Sequence, residues 1–439
     1  MYEHPWSSLS EQLGPVLPEF NRVVKEDPQY LAFTDTSHMP TPVSFAIKSV
    51  GNDDAIFFTF NQVTGHARIG THTDAVFTLV ALPSQWQNLF QRNPVMPYQS
   101  YWALYGQNIR QDGVEVLGDQ LAFANYAHIW RTMLDLLHDV YCGPNDVSYQ
   151  PEQDEDFITG RYIFVPTKAW GRCKIFYEAS GTGPQGILFL HTAGSDSRQY
   201  HGVMNDPRMR HRCTMYAFDL PSHGRSFPSP VYPAGGHTNS EDAYLDCIAK
   251  VIKTLGLKKI ILCGASMAGQ ACIAAAIRAD EVGIMGSIPL QGCERVEMYR
   301  EWYDKSPLIN SATFNPEWVY GMMCPMAPAE NRRLLWHTYS AQAYGVYHGD
   351  LDFYFNGWDG RGRVEGIDTT RCPIFFLTGE YDWSNTPEMS EETARKIPGA
   401  RFKRMPALGH FPATENPGLF VGHLLEAIEH ILGSLKCGE

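Results

Sequence analysis

The chain has 439 residues, of which 44% are hydrophobic and 19% charged, and its formal net charge is -13. That length exceeds one ordinary domain and suffices to bury two cores, while the acidic balance argues against a nucleic-acid backbone as partner. No apolar run reaches the about 18 residues of a membrane span, and the start Met1 to Trp6 lacks a basic, apolar leader, so a cytoplasmic protein without a membrane span is expected.

In chain order, the pattern predicts a helix over Leu9 to Glu26, then strands at Val43 to Ile47, Ala55 to Phe60, His66 to Gly70 and Ala75 to Val80. Short helices follow, then a strand near Gly113 to Asp119 and an amphipathic helix over Leu121 to Val140. Turn formers and acids from Gly143 to Asp156 interrupt the apolar pattern and mark a boundary. Two domains are therefore expected, 1–143 and 156–439, and the acidic linker predicts that the first can be detached. The element order of the first, with Gly118-Asp119 before its closing helix, resembles the sterol carrier protein type-2 fold. That resemblance implies an α+β module that binds an apolar ligand; self-association or simple packing is the other role. Trp86, Tyr98, Tyr101, Trp102 and Tyr105 are pocket lining on one reading and core on the other. The ten cysteines stand singly without a C-x-x-C pair, which predicts reduced thiols and neither a disulfide framework nor a zinc site.

Beyond the boundary, Gly186 to Leu190 is an apolar strand running into His191-Thr192-Ala193-Gly194-Ser195. Met215 to Phe218 runs into Asp219-Leu220-Pro221-Ser222-His223-Gly224-Arg225-Ser226. Ile260 to Cys263 breaks into Gly264-Ala265-Ser266-Met267-Ala268-Gly269 and a helical stretch to Arg278. Small residues around Ser266 permit a strained strand-to-helix turn, which lifts the hydroxyl above the sheet and frees the Met267 amide for an oxyanion. Ala268 stands where such turns usually carry glycine. Another strand, Pro373 to Leu377, leads to Gly379-Glu380-Tyr381-Asp382, and an edge strand, Arg401 to Met405, leads to the loop Pro406 to Pro412 that carries His410. A serine, an acid and a histidine in this order suit nucleophilic catalysis: His410 takes the Ser266 proton, and Asp382 fixes the imidazole tautomer. Glu380 is the rival carboxylate.

Five ordered matches from about Asp156 to Leu435 resemble the α/β-hydrolase fold superfamily. The resemblance implies an α/β sheet, the triad Ser266, Asp382 and His410, and an oxyanion hole of the Met267 and Ala193 amides, with Thr192 in reserve. It makes His191 and His223 scaffold residues. A serine at the elbow speaks against the epoxide and halide branches, which use aspartate there. About eighty residues separate the strands Ile284 to Leu290 and Pro373 to Leu377, far more than a connection needs, so a helical lid over about 294–365 is expected. Its density of aromatics and methionines, among them Tyr299, Trp302, Tyr303, Phe314, Trp318, Tyr339, Tyr354 and Trp358, suits a hydrophobic or aromatic small molecule. His337, His348, Asp350 and Asp352 lack the spacing of a metal set, and no cofactor or metal is expected. The reading is a serine hydrolase of a hydrophobic or aromatic ester, lactone or thioester. The alternatives are carbon–carbon bond hydrolysis of a diketone-like compound, suggested by G-x-S-M-x-G, the lid and the stretch Met204 to Asp219, and a noncatalytic lipid-binding or assembly protein.

Overall fold

The computed structural model describes residues 6–35, 41–61, 64–106, 111–144, 147, 155–297 and 306–436. The expected boundary residues 145–146 and 148–154, and the aromatics Tyr299, Trp302 and Tyr303, lie outside them. The chain divides into two compact units, Met1–Val147 with Arg300–Gly321, and Ser148–Tyr299 with Met322–Glu439.

The first unit carries β1 (Val43–Ser49), β2 (Ala55–Phe60), β3 (Gly65–Gly70), β4 (Phe77–Ala81) and β5 (Glu115–Gly118), in the order β3-β2-β1-β4-β5. Only β1 and β4 pair in parallel; the other neighbours are antiparallel. Rings interleave across the strands: Phe45 stacks on Phe58 at 4.4 Å and on Phe77 at 5.5 Å. The helix expected over Leu9 to Glu26 is broken into Leu9–Leu13, a 3-10 turn Gly14–Val16, and Leu17–Val23, because Pro15 and Pro18 cannot donate to the helical ladder. The helix expected over Leu121 to Val140 is likewise two, Gln120–Asn125 and Ala127–Cys142. Trp86, Tyr101 and Trp102 are buried and belong to the core: Trp86 donates to the Lys48 carbonyl (2.8 Å), and the Tyr101 hydroxyl bonds Val80 and Glu115 backbone.

Within the stretch expected as one lid, Ser311–Tyr320 is a helix of this first unit. Its Phe314 and Trp318 pack on Trp102 at 5.7 and 5.2 Å. Its buried Glu317 takes two hydrogen bonds from Arg131, at 2.6 and 3.0 Å. A buried bidentate pair tolerates no loss of either partner, which costs about 3–5 kcal/mol.

The second unit is built on eight strands: β6 (Thr159–Thr167), β7 (Gly171–Ser180), β8 (Gln185–Leu190), β9 (Cys213–Phe218), β10 (Ile260–Ala265), β11 (Ile284–Leu290), β12 (Phe375–Gly379) and β13 (Arg401–Met405). Their order is β13-β12-β11-β10-β8-β9-β7-β6. The strands β8 to β13 run parallel to their neighbours, and the β6–β7 hairpin joins β9 antiparallel. Central strands such as β10 and β12 are buried at every residue, as a sheet covered on both faces requires. In such a sheet the loops at the carboxyl ends of the parallel strands form the site.

Candidate active site

Ser266 follows β10 directly and has φ 61° and ψ -120°. A non-glycine residue there carries strain of about 1–3 kcal/mol, which a surrounding fold must hold in place. The crowding explains the small residues beside it. A Cβ at Gly264 would sit 2.7 Å from the Ala268 Cβ, and one at Gly269 would sit 2.3 Å from the Leu290 carbonyl oxygen. Neither glycine has room for a side chain, whereas the methyl of Ala268 is accommodated. The Ser266 amide donates to Leu290 on the neighbouring strand at 3.0 Å, which fixes the turn to the sheet.

Asp382 and His410 lie in the loops after β12 and β13, and the structure brings them together: His410 Nδ1 is 2.7 Å from Asp382 Oδ2. The other carboxylate oxygen accepts the amides of Ser384 and Asn385 at 2.8 and 3.0 Å. A carboxylate against Nδ1 makes that nitrogen the protonated one and leaves Nε2 with a lone pair. Glu380 instead accepts the Ala407 amide at 3.2 Å. The Tyr354 hydroxyl lies 3.3 Å from Ser384 Oγ, on the loop that Asp382 holds through the Ser384 amide, so Tyr354 packs against the acid loop.

The histidine loop is held by a residue that the sequence reading did not single out. Buried Glu415 accepts the amides on both sides of His410, from Gly409 at 2.7 Å and Phe411 at 2.8 Å, and also that of Cys324 at 3.1 Å. Burial lifts its pKa to about 7, against three amides that favour the carboxylate. No motif marks such a residue; its role follows from the turn of chain Pro412–Glu415 folding back on the loop.

In the loop after β8, the Thr192 amide donates to Gln199 Oε1 at 3.0 Å and the Gly194 amide to Asp350 Oδ2 at 2.8 Å. Between them, the Ala193 amide has no acceptor among the described residues, and neither has that of Met267. Asp350, on the helix Val346–Asp352, is fully buried and also meets His223 Nε2 at 2.7 Å and His237 Nε2 at 2.9 Å. Burial opposes its charge, but the two imidazoles hold its pKa well below the ordinary carboxylate value. His223 has acceptors at both ring nitrogens, the second being the Pro221 carbonyl at 3.0 Å. Burial works against its cation, and Asp350 outweighs burial and raises its pKa. His191 is the converse. Its Nε2 accepts the Leu220 amide at 3.0 Å and its Nδ1 faces the Thr192 carbonyl at 2.8 Å, and burial, with His223 nearby, lowers its pKa to about 4. His191 and His223 therefore brace loops. The three potential ligand residues His223, His237 and Asp350 lie within 4.8 Å of one another, joined by the hydrogen bonds just given.

The chain matches the model of the alpha/beta hydrolase family over residues 187–423, more than half its length. It is similar in fold to a thermophilic esterase from Thermogutta terrifontis, at 22% identity and TM-score 0.53, covering 62% of this chain and 99% of that one. It is similar also to a putative aryl esterase from Burkholderia cenocepacia (17%, TM-score 0.52, 62% and 100%) and an enol-lactonase from Burkholderia xenovorans LB400 (15%, TM-score 0.51, 61% and 100%). No curated protein matches it. The strained serine after β10, the acid and histidine after β12 and β13, and the family match over the same span lead to one conclusion: the chain belongs to the alpha/beta hydrolase family.

Proposed function

We propose that the protein is a serine hydrolase that cleaves a hydrophobic or aromatic carboxylic ester, lactone or thioester through an acyl-enzyme. Ser266 attacks the carbonyl, His410 carries its proton to the leaving group, and Asp382 orients the imidazole. The amides of Met267 and Ala193 receive the oxyanion. The observation that carries the reading is the 2.7 Å pairing of His410 with Asp382 on the loops after β13 and β12, together with the strained Ser266 after β10 in the same parallel sheet. The preference for an apolar acyl or alcohol part is supported by buried aromatics of the insertion near these loops: Tyr339 bonds Thr192 Oγ1 at 2.6 Å and packs on Phe411 at 5.6 Å.

The amino-terminal unit we read as a module of the sterol carrier protein type-2 kind whose role is structural. The five-stranded sheet supports the first part, and the burial of Trp86, Tyr101 and Trp102 in its core supports the second. A cytoplasmic location is supported by the cysteines, which are free, and mostly buried, among the described residues. No described helix is long and apolar enough to cross a membrane.

The test is a panel of p-nitrophenyl esters of increasing acyl length, aryl esters, lactones, acyl-CoA thioesters and β-diketones. Turnover of esters, lactones or thioesters, rising with apolar size, is expected. Turnover of β-diketones alone would replace ester cleavage by carbon–carbon cleavage.

A further inference from the structure

Three backbone amides converge on the carboxylate of Glu415: that of Phe411 on Oε1 at 2.8 Å, and those of Gly409 and Cys324 on Oε2 at 2.7 and 3.1 Å. The side chain is fully buried. Two further polar groups of the turn are also held from outside it: the His410 amide donates to the Met322 carbonyl at 3.2 Å, and the Gly409 carbonyl accepts from Gln291 Nε2 at 3.4 Å. A Cβ at Gly409 would stand 2.5 Å from the Met322 oxygen and 2.8 Å from the Cys324 nitrogen, so the stretch Met322–Cys324 lies directly on the histidine loop. Groups outside residues 409–411 thus place the backbone at His410. Resting on the assignment of His410 as the general base, we propose that Glu415 is a positioning residue that works only as the anion: its carboxylate holds His410 in its working place, and a proton taken up by Glu415 releases the loop and stops turnover.

The requirement for the anion follows from counting donors and acceptors. Both carboxylate oxygens already face N–H groups. A carboxylic acid keeps one oxygen as an acceptor and turns the other into a donor, so a proton on either Oε would point at an amide hydrogen. Protonation therefore takes the acceptor from at least one amide beside His410. A buried amide without an acceptor is unfavourable, and the turn relieves it by moving. Such movement matters to the reaction, since a misplacement of about 1 Å lowers a rate about a hundredfold. The groups that face Glu415 are few. His410, on the loop that Glu415 binds, favours the anion. Cys324, on the stretch Met322–Cys324, is a thiol that burial keeps neutral, with Glu380 and, from the helix Ala329–Ser340, Arg332 acting on it. From the same helix Asn331 Nδ2 donates to the Glu415 backbone carbonyl at 3.0 Å. Burial outweighs the amides and lifts the Glu415 pKa to about 7, so the loss falls where the acid side of the rate profile is measurable.

The experiment is the pH dependence of kcat/KM on a p-nitrophenyl ester, for wild type and Glu415→Gln, over pH values at which circular dichroism shows the fold intact. That ratio reports ionisations of the free enzyme. Because Glu415 and His410 must both be free of the extra proton, wild-type kcat/KM should fall with the square of the proton concentration on the acid side. In Glu415→Gln an amide NH₂ opposes an N–H group at every pH. Its kcat should be about a hundredfold lower at neutral pH, its KM within about threefold of wild type, and its acid side should fall with the first power of the proton concentration, through His410 alone. A first-power fall in wild type, or a variant that keeps the square dependence or the wild-type kcat, overturns the proposal. Should Glu415→Gln not fold, the wild-type profile alone decides. Ser266→Ala separates the two claims. Turnover that survives that substitution refutes the hydrolase mechanism itself, whereas turnover that needs Ser266 with a first-power fall refutes only the role of Glu415.

Discussion

In the proposed triad the acid is Asp382, because it and not Glu380 faces His410. Asp382→Asn keeps size and the two amide donors nearby but no longer selects the Nδ1–H tautomer. We predict a loss of roughly 10⁴-fold in kcat with the fold intact. Glu380→Gln should lower kcat by less than about tenfold, since its carboxylate only caps the backbone at Ala407; steady-state kinetics on one ester compares the two, and reversed effects would exchange their roles. Ser266, Asp382 and His410 were legible in the sequence because each sits in a short motif whose local backbone dictates its position. Asp350 and Glu415 were not. The partners of Asp350 lie more than a hundred residues away, and Glu415 binds backbone amides of the neighbouring loop, which no spacing of side chains announces.

At the scale of elements, the helix Val346–Asp352 acts on the site through one carboxylate. Asp350 fastens the amide next to Ala193 and pairs with His223 and His237. The raised pKa of His223 adds stability that is full below its unfolded value of about 6.5 and is lost as pH rises through the folded value. The depressed pKa of Asp350 adds stability that is full above its unfolded value of about 3.9 and is lost as pH falls through the folded one. Between those pH values both contributions are complete. The difference in thermal midpoint between wild type and Asp350→Asn should therefore be largest from about pH 4 to 6.5 and shrink on the alkaline side. A difference independent of pH would contradict the charged pairing. Element by element, buried strands such as β10 and β11 were read from the sequence nearly to the residue, since continuous apolar runs end at turn formers. The hairpin of β6 and β7 was not read: β6 is mostly exposed along its length, with Pro166 near its end, and shows no alternation to detect. The broken first helix was misread because its apolar period continues across prolines that the ladder cannot.

For the whole molecule, the chain crosses between units more often than a linear domain count suggests. The helix Ser311–Tyr320 belongs with the amino-terminal unit, although the stretches Ser148–Tyr299 and Met322–Glu439 before and after it belong to the other unit. Detachment at the acidic linker, attractive from sequence, would strip Phe314 and Trp318 of Trp102 and leave Glu317 without Arg131. A chain starting at Asp156 should aggregate or lose activity toward small and large esters alike; a soluble, active truncation, seen by size exclusion and assay, would show that the helix needs no such partner. Every step of the proposed reaction starts from Ser266. Incubation with a fluorophosphonate followed by peptide mass mapping should place one adduct on Ser266, and Ser266→Ala should lose both the adduct and about 10⁴-fold or more of turnover. An adduct on another residue, or turnover that survives the substitution, would contradict it.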